Sequence, residues 1–237
     1  MIWSAVIMAA PRRNPTLRLC VNALHANDWE PVVSLEPGTD ATGIDCAIVE
    51  HSERLGVFHH WKELALRLVS QDGPDRILMA QDDAEVVPFA RRVLERFEWP
   101  ERCGLVSLYL PEHVACVRSR FSRSMRRPGI QHVPQSNLHG SVCLAWRPDC
   151  LRAVLEHSTC QKWPGYESRK YQHSWMVEDD DICIGWCMNS LGWQMWYAVP
   201  GLCQHISTDV ARERDMGSRQ SPWVAESEAD FDLPISC

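Results

Sequence analysis

Long apolar runs are missing from this 237-residue chain. None approaches the roughly 18 residues that cross a bilayer as a helix. No basic stretch precedes the opening residues Met1 to Met8, and Pro11-Arg12-Arg13 breaks them off, so they read as a first core strand and not as a signal peptide. Excess positive charge is missing as well. The 24 Lys and Arg against 31 Asp and Glu leave a formal charge of −7, which excludes a protein that coats nucleic acid by bulk electrostatics. No Cys-x-x-Cys occurs among the 11 cysteines, which argues against a structural zinc site. An odd number of thiols, in a chain long enough to bury its own core, is expected to be reduced and mostly buried in a cytoplasmic protein. Internal repeats and low-complexity tracts are absent too. What remains is globular: 45% hydrophobic and 23% charged residues exclude disorder, collagen and coiled coil as whole-chain readings. The length allows one large domain or two small ones.

Short apolar runs alternate with helical spacing through the first half. Trp3–Ala9, Pro31–Leu35, 46–49, 76–80 and 104–110 read as strands. Leu17, Cys20, Val21 and Leu24 recur at helical spacing, as do Val57, Trp61, Leu64, Ala65 and Val69. Pro88 opens a third helix over 88–97. Farther on, 139–146 and 193–199 read as strands, 149–157 and 179–191 as helices. The alternation predicts an open α/β sheet, largely parallel, whose ligands gather at the carboxyl ends of the strands. Ala10-Pro11-Arg12, Glu36 and Gln81-Asp82-Asp83 all fall at such ends.

Three constellations carry potential chemistry. Asp82 and Asp83 are adjacent carboxylates at a strand end; either they form a solvated acidic turn, or a divalent cation such as Mg2+ or Mn2+ relieves their repulsion. Glu178-Asp179-Asp180-Asp181 opens a helix. The macrodipole accounts for some of these acids, and a carboxylate held among others is also suited to general-base work. His205, in Gln204-His205-Ile206, is either a core histidine or a further ligand for a strand-end metal. Separately, Arg118, Arg120, Arg123, Arg126 and Arg127 crowd one acyclic stretch without periodicity, which reads as a loop.

The order of these segments resembles the nucleotide-sugar glycosyltransferases of the GT-A type, over roughly residues 2–207. Gln81-Asp82-Asp83 stands where that family carries its Asp-x-Asp motif. The stretch 177–193 is similar to its Glu-Asp-x-Asp helix, which ends in Gly and an aromatic residue, here Gly192-Trp193. Gln204-His205-Ile206 resembles a C-terminal Gln-His motif of several branches. The resemblance implies a single-domain, Rossmann-like α/β/α sandwich with a mostly parallel sheet. Its nucleotide-binding half is about 1–110, its acceptor half about 111–207, and 208–237 form a polar tail. It implies transfer of one sugar from a nucleotide diphosphate donor, a UDP-sugar by preference, to a hydroxyl acceptor with inversion. Asp83, with His205, would hold Mn2+ or Mg2+, and Asp82 would meet ribose or metal-bound water. Ala10, Pro11 and Arg12 would cradle the nucleotide, and Glu36 its base or ribose. Asp179 would be the base, with Glu178 and Asp181 as further catalytic candidates. Gln81 departs from the family by replacing an acid. The Gln-x-x-Arg-Trp motif of processive synthases is absent.

Arginine forks match phosphate and carboxylate, so Arg120, Arg123 and Arg126 suggest an anionic acceptor: a phosphorylated glycan precursor, or DNA with a hydroxylated base. Two alternatives stand beside this. One is a nucleic-acid-binding or assembly protein on a degenerate transferase fold, acting through those arginines. The other is a nucleotidyltransferase, although the Gly-rich loop usual after its first strand is missing. If Asp179 is the base, Asp179→Asn lowers turnover by about 10² or more and leaves donor affinity unchanged, read from kcat and from donor titration. Equal loss in Asp181→Asn, with Asp179→Asn unaffected, moves the role two residues along.

Overall fold

Strand β1 (Trp3–Ala9) is apolar without a break from Ala5 to Ala9, and the computed structural model of the chain shows why. Its alternate residues enter two different cores: Ala5, Ile7 and Ala9 face one layer of helices, Val6 and Met8 the other. A strand covered on both faces has no polar side to show. Residues 1–70, 73–111, 128–133, 138–163, 180–206 and 224–231 are described.

β1 pairs in parallel with β2 (Pro31–Leu35) on one side and with β4 (Arg76–Gln81) on the other. β2 in turn pairs with the edge strand β3 (Ala47–Glu50). Beyond β4 come β8 (Cys143–Trp146), β6 (Cys103–Ser107), β9 (Gln194–Val199) and β7 (Gly129–His132), giving the order β3-β2-β1-β4-β8-β6-β9-β7. β8 runs antiparallel to both its neighbours and β7 antiparallel to β9; the other six strands share one direction. The mixed, mostly parallel sheet expected from the sequence is the one observed.

Helices α1 (Leu17–His25) and α3 (Ala90–Arg96) cover one face. Helices α2 (Gly56–Val69), α4 (Pro148–Glu156), α5 (Ser158–Lys162) and α6 (Asp180–Leu191) cover the other. Trp61 and Trp146 are fully buried in this second core, and Trp163, also buried, packs edge-on against Trp186. No described helix is long and apolar enough to cross a membrane. The nine described cysteines carry free thiols, eight of them buried.

Some boundaries differ from expectation. The strand expected over 104–110 ends at Ser107, and that expected over 139–146 begins at Cys143. A separate two-stranded antiparallel sheet, β5 (Ala84–Val86) with β10 (Cys203–His205), was not anticipated. Three-residue strands are too short for alternation to register. Within the stretch expected as a polar tail, Ala225 is buried and its N–H donates to Gly201 O at 2.9 Å, while Glu228 pairs with Arg92 and Arg96 of α3 at 2.9 and 3.0 Å.

The start of α2 has no capping side chain of its own. Glu36, after β2, supplies one from a distance: its Oε1 accepts from the N–H groups of Leu55 (3.0 Å) and Gly56 (2.8 Å). An anion at a helix N-terminus satisfies orphan donors and meets the macrodipole favourably. Beside it, Ser34 Oγ lies 2.8 Å from His60 Nε2 and 2.7 Å from His51 Nε2. One hydroxyl proton serves two rings, so Ser34 donates to one imidazole and accepts from the other. Burial pushes His60 down to about 4; Glu36 and Glu63 pull upward, His51 downward. The folded protein therefore holds His60 neutral, and its contribution to stability is complete above about pH 6.5 and lost as pH falls from there towards 4. In urea titrations, His60→Gln is expected to lose about 2 kcal/mol less stability than wild type between pH 7 and pH 4. Parallel pH profiles would remove His60 as the cause.

Candidate functional site

In the order β3-β2-β1-β4 the chain leaves β1 towards β2, then returns to the far side of β1 with β4. The reversal makes the carboxyl ends of β1 and β4 a topological switch point, where open α/β sheets form a crevice. Ala10, Pro11 and Arg12 follow β1 there, and Asp82 and Asp83 follow β4. Register holds the two ends together, with Met8 beside Gln81 and the Asp82 N–H donating to Met8 O at 3.0 Å.

Both carboxylates are buried, Asp82 at 2% and Asp83 at 1% exposure. Two adjacent buried anions are costly unless paired and hydrogen-bonded. Arg12 answers both. Its Nε and Nη2 donate to Asp82 Oδ1 at 2.8 and 2.6 Å, and Nη2 also lies 2.9 Å from Asp83 Oδ2. The Ala10 N–H approaches Asp82 Oδ2 at 3.4 Å. His205 Nε2 lies 2.8 Å from Asp83 Oδ2. The small β5–β10 sheet creates this last contact: His205 is in register with Ala84, and the Ile206 N–H donates to Asp83 O at 2.9 Å. Asp83 Oδ1 is buried without a hydrogen-bond partner among the described residues.

The pair divides electrostatically. Burial lifts the Asp82 carboxyl above its ordinary range, against the pull of Arg12. Burial also pushes Asp83 upward, but the hydrogen bond and charge of His205, together with Arg12, outweigh it and hold Asp83 below the ordinary range. Asp83 is thus the better anion. Its unfilled oxygen, with the imidazole beside it, fits a borderline-hard divalent cation such as Mn2+. Among the described residues no third His, Cys, Asp or Glu joins them. Such a cation would therefore take its remaining ligands from water and phosphate, the usual mode for an ion that carries a diphosphate. Burial raises the nearby Cys20 and Cys203 thiols well above their ordinary range, so they remain protonated and do not compete as thiolates.

Gln81, the residue that stands in place of an acid, turns towards the acidic helix. Its Nε2 donates to Ser141 Oγ at 3.1 Å, and Ser141 donates to Asp180 Oδ1 at 2.6 Å. Asp180 is 2% exposed and the next acid, Asp181, accepts from the Gly140 N–H at 3.0 Å. A carboxylate at position 81 would face Asp180 across one hydroxyl; the amide removes that repulsion and supplies a donor. Sequence reasoning missed this relay, because Ser141 carries no motif. The acid run at 178–181 was the one available signal.

The proposed ligands Asp83 and His205 are therefore brought together, with Asp82, Ala10 and Arg12 around them. Pro11 lies in the same segment, half-buried. Arg12, expected on the nucleotide, is engaged with the two carboxylates. Glu36 is engaged at Oε1 as the cap of α2. Glu178, Asp179, Arg120, Arg123 and Arg126 lie outside the described residues. A shallow cleft opens beside Arg12, lined by Ala10, Thr16, Thr39, Asp40 and Asp82 among others.

The sequence matches no family model and no curated protein. Solved structures with similar folds include one described as a glucose-1-phosphate thymidylyltransferase from Bacillus anthracis, in complex with a sucrose. It is 12% identical with a TM-score of 0.50, and the match covers 90% of this chain and 93% of that one. A197 from STIV (11% identical, TM-score 0.49, 86% of each chain) and S. aureus TarS 1-349 (12%, 0.46, covering 84% of this chain and 60% of that one) superpose less closely. At these identities the likeness is one of fold: the chain has a Rossmann-like α/β fold with a mostly parallel sheet, similar to that of the Bacillus anthracis structure.

Proposed function

We propose that this chain is a cation-dependent glycosyltransferase that moves a single sugar from a nucleotide diphosphate donor, a UDP-sugar by preference, to a hydroxyl acceptor with inversion. The observation that carries the reading is the buried Asp83–His205 pair at the switch-point end of β4, 2.8 Å apart, in which the Asp83 carboxyl is held below its ordinary range. In this reading Asp83 and His205 hold Mn2+ or Mg2+, and residues 1–207 make the catalytic domain. When bound, the ion neutralises charge that develops on the leaving diphosphate.

The chain's own residues do the rest. Ala10, Pro11 and Arg12 line the donor's phosphate path, and Asp82 orients the ribose or an ordered water. Asp180 is a positioning residue: fixed through Ser141 to Gln81, it ties the start of α6 to the turn that bears Asp82 and Asp83. Asp179, the residue before it, is the base that takes the proton of the acceptor hydroxyl. The arginines of 118–127 grip an anionic acceptor, a phosphorylated glycan precursor or a hydroxylated base in DNA. Nucleotidyl transfer is the alternative that Arg12 favours, since it puts a cation after the first strand beside the acid pair. The leaving group separates the two: release of a nucleoside diphosphate marks sugar transfer, and release of pyrophosphate marks nucleotidyl transfer.

Calorimetry tests the site. Wild type is expected to bind UDP or GDP only with Mn2+ or Mg2+, and Asp83→Ala to weaken that binding by about 100-fold or more while near-UV dichroism stays native. Cation-independent binding, or an unaffected variant, overturns the assignment. Product anomers read by NMR check the base: a retained configuration removes Asp179 from that role.

A further inference from the structure

Arg12 follows β1 and lines the cleft together with Ala10, Thr39 and Asp82. Its guanidinium does not reach outward along the cleft. It bends back onto the carboxylates, with three contacts of 2.6–2.9 Å to Asp82 and Asp83. The Asp83 oxygen it touches, Oδ2, is the one that His205 also contacts. One oxygen of the carboxylate that would hold the cation thus already serves two nitrogen donors. The geometry points to Arg12 as a displaceable counter-ion: it bridges the two acids and passes to the diphosphate when a nucleotide arrives, so that divalent cation and nucleoside diphosphate bind together and each binds weakly alone. This deepens the proposed transferase reading and rests on it.

Charge and reach support the exchange. A divalent ion on Asp83, with Arg12 left in place, would set two cations against one another in a site with little water to screen them. Moving the guanidinium to a phosphate removes that conflict, and phosphate accepts the same two-pronged donor geometry as carboxylate. Arg12 is placed for the move. Its side chain keeps 18% exposure, whereas those of Asp82 and Asp83 keep 3% and 2%, and it lines the cleft that opens past Thr16 and Thr39. The anion is discouraged from entering alone, because Asp40 and Asp82 line that cleft and Arg12 is already taken. Asp83 Oδ1, buried and without a partner among the described residues, remains for the ion when the exchange occurs.

Calorimetric titration of MnCl2, without nucleotide, into wild type and Arg12→Gln tests the proposal. The variant is expected to bind Mn2+ about tenfold more tightly, because the competing cation is gone, and UDP tightens its Mn2+ binding far less than it does for wild type. Equal or weaker Mn2+ affinity in Arg12→Gln overturns the proposal. Removing the guanidinium can also unsettle the fold, so thermal shifts of wild type serve as the second measurement. Mn2+ with UDP or GDP should raise Tm by more than the two separate shifts together, and additive shifts overturn the coupling. Adding Asp83→Ala to Arg12→Gln separates the two readings. If Mn2+ binding requires Asp83 yet ignores Arg12, the counter-ion role alone fails. If Mn2+ binding is absent from Arg12→Gln, or survives loss of Asp83, the metal site and the counter-ion role fail together.

Discussion

Burying two adjacent carboxylates at the end of a parallel strand is the constraint around which this molecule is arranged. Asp82 and Asp83 cannot turn to solvent, because β4 delivers them into the sheet's carboxyl end with less than 3% of either exposed. Each unsatisfied charge there would cost several kcal/mol. The compensation comes from three distant parts of the chain: a guanidinium after β1, a backbone N–H from the same segment, and an imidazole from β10. The β5–β10 sheet, too short to add much stability itself, supplies that imidazole. The same compensation splits the pair, leaving one carboxyl above its ordinary range and the other below. Neighbouring titratable groups driven apart in this way are a common mark of functional sites.

The second organising link joins the two halves of the fold. β8 runs antiparallel between β4 and β6, and the turn before it carries Ser141 between Gln81 and Asp180. Through one hydroxyl, the turn that bears the acid pair and the helix that opens with acids hold a fixed separation. A reaction that needs an ion on one side of a sugar and a base on the other depends on such a distance being set by the scaffold.

The central sheet was legible because burial on both faces writes continuous apolar runs into β1 and β4, and because the helices over it repeat at 3.6 residues. Asp82 and Asp83 were legible because a strand ended at them. His205 was visible through its Gln-His context, but its partner was not. β5 and β10 have three residues each, and no periodicity survives at that length. Glu36 was expected at a ligand, and its role as the cap of α2 could not be read locally, because it acts 19 and 20 residues along the chain. Arg12 was expected on the nucleotide; its engagement with carboxylates 70 residues away is a matter of charge meeting charge in three dimensions. Gln81 looked like a weakened motif until Ser141 and Asp180 gave it a reason.

The β5–β10 pairing also has a meaning in time. Asp83 and His205 are about 120 residues apart, so the contact closes one of the longest loops in the chain, and such contacts form late. A ribosome that has released β1 through β4 and the turn after it has released the acid pair and Arg12 together, since all of these lie within residues 3–83. The nascent sheet thus carries a cation for its carboxylates from within, before the imidazole is made. Arg12 reaches the acids from within residues 3–83, whereas His205 joins them only once the chain extends through β10.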